Sequence, residues 1–166
     1  MNAALVTAFD RPPAWTEVPE PAPEGDEVVV TVRAAALHPR VRSQASGSHY
    51  TSDGALPLVP GIDGVGERAD GSLVYFVLPD TRRGSFAERT AIDLRRSVML
   101  PPDIDATAIA AAMNPAMSSW VALRRRAGFE PGQSVLVLGA TGSAGRLAVQ
   151  VATHLGASRV VAAGRD

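Results

Sequence analysis

The sequence contains no cysteine, which excludes disulfide bonds and any metal site built on thiolates. Its net charge is only −1 at pH 7, so neither nucleic acid nor an acidic membrane surface is expected as a partner. No apolar run approaches the length of a membrane span. The first residues, MNAALVTAF, lack the basic start and long apolar core of a signal peptide. We therefore expect a cytoplasmic protein.

What is present suffices for one ordinary domain or two small ones, because 46% of the 166 residues are hydrophobic. The first hundred residues predict short strands at Ala3–Phe9, Glu27–Leu37, Leu73–Val77 and Ser85–Ile92. The proline-rich stretch Arg11–Pro23 predicts an extended surface connection. Asp70-Gly71 predicts a hairpin turn. These features are typical of a small β-barrel or sandwich.

Helices are predicted after this β-region. Asp105 can cap a helix over Ala106–Met113. Asn114-Pro115 has the pattern of a new cap followed by proline at the first helical position. The second helix, Pro115–Ala127, is then expected to end at Gly128.

The last thirty residues predict a βαβ unit with a parallel pair of strands. Val135–Leu138 is a short apolar run that stops at Gly139, as in a strand buried on both faces. The following apolar residues recur at helical spacing, and Gly156 can end that helix. Arg159–Ala163 predicts the second strand, joined by a right-handed connection.

The turn Gly139–Gly145, GATGSAG, is the most specific motif in the sequence. Gly139 allows a tight turn, Gly142 leaves room for a phosphate, and Gly145 lets the helix pack closely. The helix N-terminus offers N–H groups and a partial positive charge to a pyrophosphate. A glycine-rich turn without a ligand is the alternative, but three glycines at a spacing of three exceed what a turn needs. The motif therefore predicts a dinucleotide site.

Taken together, four stretches resemble the medium-chain dehydrogenase/reductase superfamily, in its zinc-free quinone oxidoreductase and enoyl reductase branch. They are AALHP, LVPGIDGVGE, GSFAERTAI and everything from Asn114 to Gly156. The resemblance implies a GroES-like β-barrel domain over residues 1–113. It also implies the first βαβ unit of an NAD(P)-binding Rossmann domain, truncated, over residues 114–166.

The resemblance also bears on metal binding. Zinc-dependent relatives hold their catalytic metal at positions that match His38, Ile62 and Asn114 here. Isoleucine cannot bind a metal, and one histidine with one amide is not a zinc site. The four cysteines of the structural zinc lobe are absent. We therefore expect an enzyme without zinc.

Side chains must then supply the proton or hydrogen-bond donor, and the resemblance offers four candidates: Tyr50, His38, His49 and Asn114. Zinc-free relatives usually have asparagine at the position of His38 and tyrosine at that of His49, with Tyr50 a possible substitute. His38 could instead only satisfy backbone groups at a strand end, the loop Tyr50 could be simple surface, and Asn114 could be only a helix cap. Asp63 reads as a turn residue, although relatives with glutamate there place it near the cleft.

The cofactor preference depends on the end of the second strand. An NAD site usually has an acidic residue there, about 20 residues beyond the glycines. Here the strand ends in small residues followed by Gly164 and Arg165, which can accept the 2′-phosphate of NADPH. Asp166 is evidence for NADH instead, because a shifted register would place its carboxylate on the ribose. The predicted cofactor contacts are Ser118, Gly139, Ala140, Thr141, Gly142, Ser143, Ala144, Gly145, Gly164 and Arg165.

The sequence thus predicts an NADPH-dependent, zinc-free reductase of quinones or α,β-unsaturated carbonyls. The alternative is a module that binds NADPH without chemistry, or an inactive fragment of such an enzyme. The resemblance implies relatives about twice as long, whose distal part completes the sheet. We therefore expect a chain that exposes apolar surface, forms homo-oligomers or depends on a missing C-terminal half.

Overall fold

A computed structural model describes residues 1–79 and 82–165. The chain divides into two compact units, Met1–Ala111 and Ala112–Asp166. Asp166, which argued against NADPH, lies outside the described residues. Among the described helices, none combines the length and the apolar character needed to cross a bilayer.

The first unit is built on an antiparallel sheet. Its elements are β1 (Asn2–Leu5), β2 (Ala14–Glu17), β3 (Glu27–Ala35), α1 (Pro39–Ala45), β4 (Asp63–Glu67), β5 (Leu73–Val77), β6 (Arg89–Asp93), a 3₁₀ turn (Leu94–Arg96) and β7 (Ser97–Met99). Five strands pair in the order β6-β3-β4-β5-β7, and β1 pairs separately with β2. The core of the five-stranded sheet consists of Val30, Val74, Phe76, Leu78 and Ile92.

This sheet is open, and the described residues form no closed barrel. The strand pattern predicted a small barrel or sandwich, and the GroES-like β-barrel that the resemblance implies is not seen as a closed barrel. The hairpin at Asp70-Gly71 is confirmed, since β4 and β5 pair antiparallel around it and Gly71 has a φ of 82°.

The connection Arg11–Pro23, predicted to be extended surface, contains a strand that its sequence did not predict. β2 occupies Ala14–Glu17, a proline-free gap between two proline clusters, so its N–H groups can pair with β1. The predicted strand Ala3–Phe9 ends earlier, at Leu5. Only an isolated bridge from Val6 to Leu58 continues the pairing among the described residues.

The two predicted helices after Asp105 are one helix. Asp105 caps it as predicted, because its Oδ1 accepts from the N–H groups of Thr107 at 2.9 Å and Ala108 at 3.1 Å. This helix, α2 (Ala106–Val121), continues through Asn114 and Pro115 into a π-helical turn, Ala122–Arg126. Asn114 is therefore not a helix cap, and that prediction was wrong.

The physical reason is that proline restricts the preceding residue without forbidding a kinked helix. The alanine-rich run before Pro115 has high intrinsic helix propensity, which opposes the break. Pro115 has no N–H to donate to the carbonyl of Ala111, where the first unit ends. As predicted, the chain turns at Gly128, which has a φ of 59°.

The second unit contains the predicted βαβ arrangement. β8 (Ser134–Leu138) and β9 (Arg159–Ala163) are parallel, and α3 (Ser143–His154) connects them. Val137 and Ala152 are buried between this pair of strands and the helix. The backbone turns after α3 at Gly156, which has a φ of 87° and donates its N–H to Thr153 at 3.0 Å.

Candidate functional site

The turn between β8 and α3 is held by backbone contacts that need glycine. Gly139 adopts a φ of 75°, a left-handed conformation that side chains disfavour. A Cβ placed on Gly145 would lie 2.1 Å from the Gly139 carbonyl oxygen and 2.7 Å from Cα of Ala140. Gly145 therefore allows the first turn of α3 to pack directly against the end of β8.

Gly142 is different, because neither its backbone nor its protein neighbours require glycine. Its φ is −78° in extended conformation, and a Cβ there would have only the Gly139 oxygen nearby, at 3.7 Å. It is the N-cap of α3, where helix geometry leaves the first N–H groups without intrahelical partners. The space and the donors together fit the approach of a phosphate group.

A crevice opens beside this turn at the carboxyl ends of the two strands. It is lined by Leu138, Gly139, Thr141, Ala163, Gly164 and Arg165. A Cβ on Gly164 would lie 2.7 Å from Cγ2 of Thr141, so the missing side chain keeps the turn and the end of β9 close. The structure thus brings Gly164 and Arg165 next to the glycine turn, at the edge where open parallel sheets bind ligands.

Of the other predicted residues of the second unit, Ala140 lies in the turn after β8, Ser143 and Ala144 begin α3, and Ser118 and Asn114 lie on α2. Ser118 is exposed and Asn114 is half-buried. Because Asn114 is inside the helix, its amide has no capping role at that position, and its side chain is available for other contacts.

In the first unit, His38, Asp63 and Tyr75 form a buried chain of hydrogen bonds. Nε2 of His38 lies 3.2 Å from Oδ1 of Asp63, and the Tyr75 hydroxyl donates to Oδ2 of Asp63 at 2.8 Å. Asp63 is fully buried, Tyr75 is almost so, and the His38 side chain keeps 14% of its surface exposed. This arrangement was not expected for any of the three residues from the sequence.

Backbone pairing brings these side chains together. Asp63 begins β4 and Tyr75 lies in β5, with Val65 paired to Tyr75 and Asp63 paired to Val77. Residues two apart on a strand share a face, so Asp63 and Tyr75 point to the same side of the sheet. His38 follows β3, the other neighbour of β4, and is the N-cap of α1.

The interpretation of Asp63 as a turn residue was therefore wrong. The chain has already entered β4 at Asp63, and the carboxylate is buried and paired on both oxygens. Tyr75 was missed because it lies in the apolar run LVYFV, where it reads as ordinary core. The available signal was its hydroxyl, since a buried tyrosine usually finds a hydrogen-bond partner.

Burial raises the pKa of Tyr75 well above its usual range, and the hydrogen bond to Asp63 raises it further. Deprotonation would place a second negative charge beside a buried carboxylate. Tyr75 therefore stays a neutral phenol that donates to Asp63 over the whole physiological pH range.

His49 and Tyr50 lie in the loop after α1. Their rings stack at a centroid distance of 4.4 Å, and Nδ1 of His49 lies 2.8 Å from Oγ1 of Thr51. Tyr50 is 92% exposed. His49 lines a polar pocket with Gln44, Thr51, Ser52, Asp53, Leu58 and Arg82.

The positions that match the zinc ligands of relatives have other roles here. His38 is bonded to Asp63, and Ile62 is buried in the apolar core. Within residues 1–79 and 82–165, no three histidine or acidic side chains gather into a group that could hold a metal ion.

No family model matches the chain. It is 36% identical to the probable NADPH-dependent quinone reductase tdiC of Emericella nidulans, over 99% of this chain and 55% of that protein. It is 35% identical to 2-methylene-furan-3-one reductase of Solanum lycopersicum, over 82% of this chain and 39% of that protein. Among solved structures, the quinone oxidoreductase from Thermus thermophilus, also solved with NADPH, superposes with a TM-score of 0.88. That match has 32% identity and covers all of this chain and 54% of that one.

The fold is therefore that of the quinone oxidoreductases, a sheet followed by helices and a βαβ unit. The chain is homologous to quinone oxidoreductases and enone reductases of the medium-chain dehydrogenase/reductase superfamily. It spans about half the length of the curated relatives that it matches.

Proposed function

We propose that the protein containing this chain is an NADPH-dependent, zinc-free oxidoreductase that reduces quinones or α,β-unsaturated carbonyl compounds. The observation that carries the proposal is the crevice in which Gly164 and Arg165 lie beside the Gly139–Gly145 turn. The relatives agree with it, since one is a probable NADPH-dependent quinone reductase and another is a 2-methylene-furan-3-one reductase.

The residues of the crevice fit the cofactor. Gly142 leaves an open approach to the N-terminus of α3, which suits a pyrophosphate. Arg165 can hold a 2′-phosphate by charge-assisted hydrogen bonds, and Gly164 leaves space beside Thr141 for the ribose. Ser118 is proposed to contact the nicotinamide end. Bound there, NADPH would supply a hydride for the substrate.

The substrate class follows from what the side chains can stabilise. Reduction of a quinone or enone leaves a delocalised phenolate or enolate, which needs less stabilisation than the alkoxide of simple alcohol chemistry. A metal is then unnecessary, and donors such as His38, Tyr50, His49 or Asn114 can interact with the developing oxyanion. Of these, His38 is held in a defined buried arrangement, whereas Tyr50 is almost fully exposed.

The two structural units suggest two separate roles, catalysis and cofactor binding. We propose a GroES-like catalytic unit over residues 1–113 and the start of a Rossmann domain over residues 114–166, in a cytoplasmic enzyme. The strand order β8-β9 around α3 is what such a domain begins with.

The first prediction tests the cofactor assignment with Arg165→Ala in the full-length protein. Losing a charge-assisted contact with the 2′-phosphate is expected to raise the Kd for NADPH roughly 10- to 100-fold and leave that for NADH nearly unchanged. Fluorescence titration with both nucleotides measures the ratio. Arg159→Ala is the matched control, because Arg159 is exposed at the opposite end of β9. Equal wild-type constants for the two nucleotides would refute the NADPH preference.

Turnover separates the proposed reaction from alcohol chemistry. We expect oxidation of NADPH with a quinone or an enone, no oxidation of simple alcohols, and no effect of a chelator. Stoichiometric zinc by metal analysis, with alcohol oxidation lost on chelation, would contradict the proposal.

A further inference from the structure

We propose that Asp63 and Tyr75 are positioning residues, which fix the tautomer and ring orientation of His38 so that it can protonate the substrate oxygen. The inference rests on the proposed function above and goes further, because it selects one donor and names the groups that orient it.

The carboxylate of Asp63 is placed to orient the imidazole of His38. Its carboxylate is fully buried, and both of its oxygens are used, Oδ1 toward His38 and Oδ2 by the Tyr75 hydroxyl. Burying a carboxylate is costly unless it is hydrogen-bonded. The Tyr75 hydroxyl donates one of these hydrogen bonds, to Oδ2, and so fixes the plane of the carboxylate. Oδ1 is thereby directed at the imidazole of His38.

The backbone of His38 is also fixed. Its carbonyl accepts from the N–H of Arg42 at 3.2 Å, and Pro39 follows it at the start of α1. As the N-cap residue it could use its side chain to cap the helix, but that side chain makes no such bond. The ring is instead turned toward Asp63. Such a side chain, anchored at one end and partly exposed, suits transfer of a proton to a bound molecule.

The carboxylate determines which nitrogen carries the proton. A carboxylate can only accept, so Nε2 of His38 must be the donor in this pair. Nδ1 is then the nitrogen that exchanges a proton with the substrate or with water. In the proposed step the N–H bond at Nδ1 of the imidazolium breaks and an O–H bond forms on the substrate anion. No electrons change hands, and the neutral histidine regains its proton from solvent.

Asp63→Asn tests this orientation sharply. The Tyr75 hydroxyl can still donate to the amide oxygen, which leaves the amide NH₂ facing Nε2 of His38. Nε2 must then accept, so the neutral imidazole carries its proton on Nδ1, and the imidazolium that protonates the substrate is disfavoured because its Nε2–H would face the amide NH₂. Tyr75→Phe keeps the ring and removes only the hydroxyl, so the carboxylate loses one restraint. Thr90→Val is the matched control, since Thr90 is an equally buried residue of β6 whose hydroxyl has no partner among the described residues.

The experiment uses the full-length protein and two measurements. With saturating NADPH and a quinone or enone, we expect kcat to fall about 100-fold in Asp63→Asn and about 10-fold in Tyr75→Phe, with KM within about twofold. Thr90→Val should keep both constants. Nitrogen-15 NMR, with the His38 signals assigned through His38→Gln, should show Nε2–H in the wild type and Nδ1–H in Asp63→Asn.

The outcomes separate the two proposals. If the wild type reduces neither quinones nor enones, the proposed function fails and the proton-transfer role fails with it. If the wild type turns over while both variants keep its kcat, only the positioning role is refuted. An Nδ1–H tautomer in the wild type would refute it as well. Should Asp63→Asn not fold, Tyr75→Phe carries the kinetic test.

Discussion

At the residue scale, Gly142 and Gly145 show that the glycines of one motif have different physical roles. A side chain on Gly145 would collide with the backbone of the turn, at 2.1 Å from the Gly139 oxygen. A side chain on Gly142 would meet only that same oxygen, at an ordinary 3.7 Å. Gly145 is thus required by the fold, whereas the absence of a side chain at Gly142 has a reason only when a ligand approaches.

The corresponding prediction compares Gly145→Ala with Gly142→Ala in the full-length protein. Gly145→Ala is expected to lower the free energy of unfolding by about 1–3 kcal/mol, since backbone on both sides of the new methyl must shift. Gly142→Ala should change it by less than about 1 kcal/mol, the scale of an N-cap preference, yet weaken NADPH binding at least tenfold. Denaturant unfolding and nucleotide titration measure the two effects. Normal NADPH affinity in Gly142→Ala would show that no phosphate of NADPH lies against Gly142.

At the element scale, the segment that follows β2 is tied to the edge strand β6. Glu20 makes a two-pronged ion pair with Arg89, whose Nε lies 2.7 Å from Oε2 of Glu20. The hydrogen bond from Arg89 lowers the pKa of Glu20 to about 2, from an ordinary value of 4.5. The pair is exposed to solvent, so its contribution to stability is small.

The pH dependence of this link is predictable in sign. Because the pKa of Glu20 is lower in the folded state, its stabilisation is fully present above pH 4.5. It declines as the pH falls below 4.5 and is lost only as the pH falls through the folded-state pKa of about 2. Glu20→Gln should therefore lower Tm slightly at pH 7, and its Tm difference from the wild type should shrink steadily as the pH falls from 4.5 toward 2. Calorimetry across this range is the measurement, with exposed Glu17→Gln as control. A Tm difference that stays constant from pH 7 down to pH 2 would contradict the mechanism.

At the scale of the whole molecule, one face of the β8-β9 pair is uncovered. Leu136 and Leu138 are 61% and 75% exposed, and Val161, paired with Leu136, is exposed beside them. α3 packs on the opposite face, over the buried Val137. A parallel sheet is normally covered on both faces, so an exposed apolar face of this kind favours association.

We predict that a polypeptide of these 166 residues self-associates through this face. The double variant Leu136→Thr/Leu138→Thr keeps strand propensity, removes much of the apolar surface, and should shift the species toward monomer. Sedimentation velocity at several concentrations measures the change. Leu37→Thr is the control, since Leu37 is 68% exposed in the first unit. A monodisperse wild-type monomer at every concentration would disprove the prediction.

Local pattern was sufficient for the elements whose residues interact with near neighbours in sequence. The βαβ unit, the hairpin at Asp70-Gly71 and the Asp105 cap were all predicted from periodicity, glycine and capping chemistry. Where local preferences compete, the sequence was ambiguous. A proline after asparagine predicted a break at Asn114, but the helix propensity of the preceding alanines continued α2 through it.

The sequence by itself therefore determined the class of protein, because the glycine turn, the small residues after β9 and the family motifs lie within short stretches. Only the tertiary structure decided how Asp63 is used. His38 precedes α1, Asp63 lies in β4 and Tyr75 lies in β5, and no spacing along the chain shows that their side chains meet. Strand pairing brings them together, and burial then makes every hydrogen bond of the carboxylate necessary.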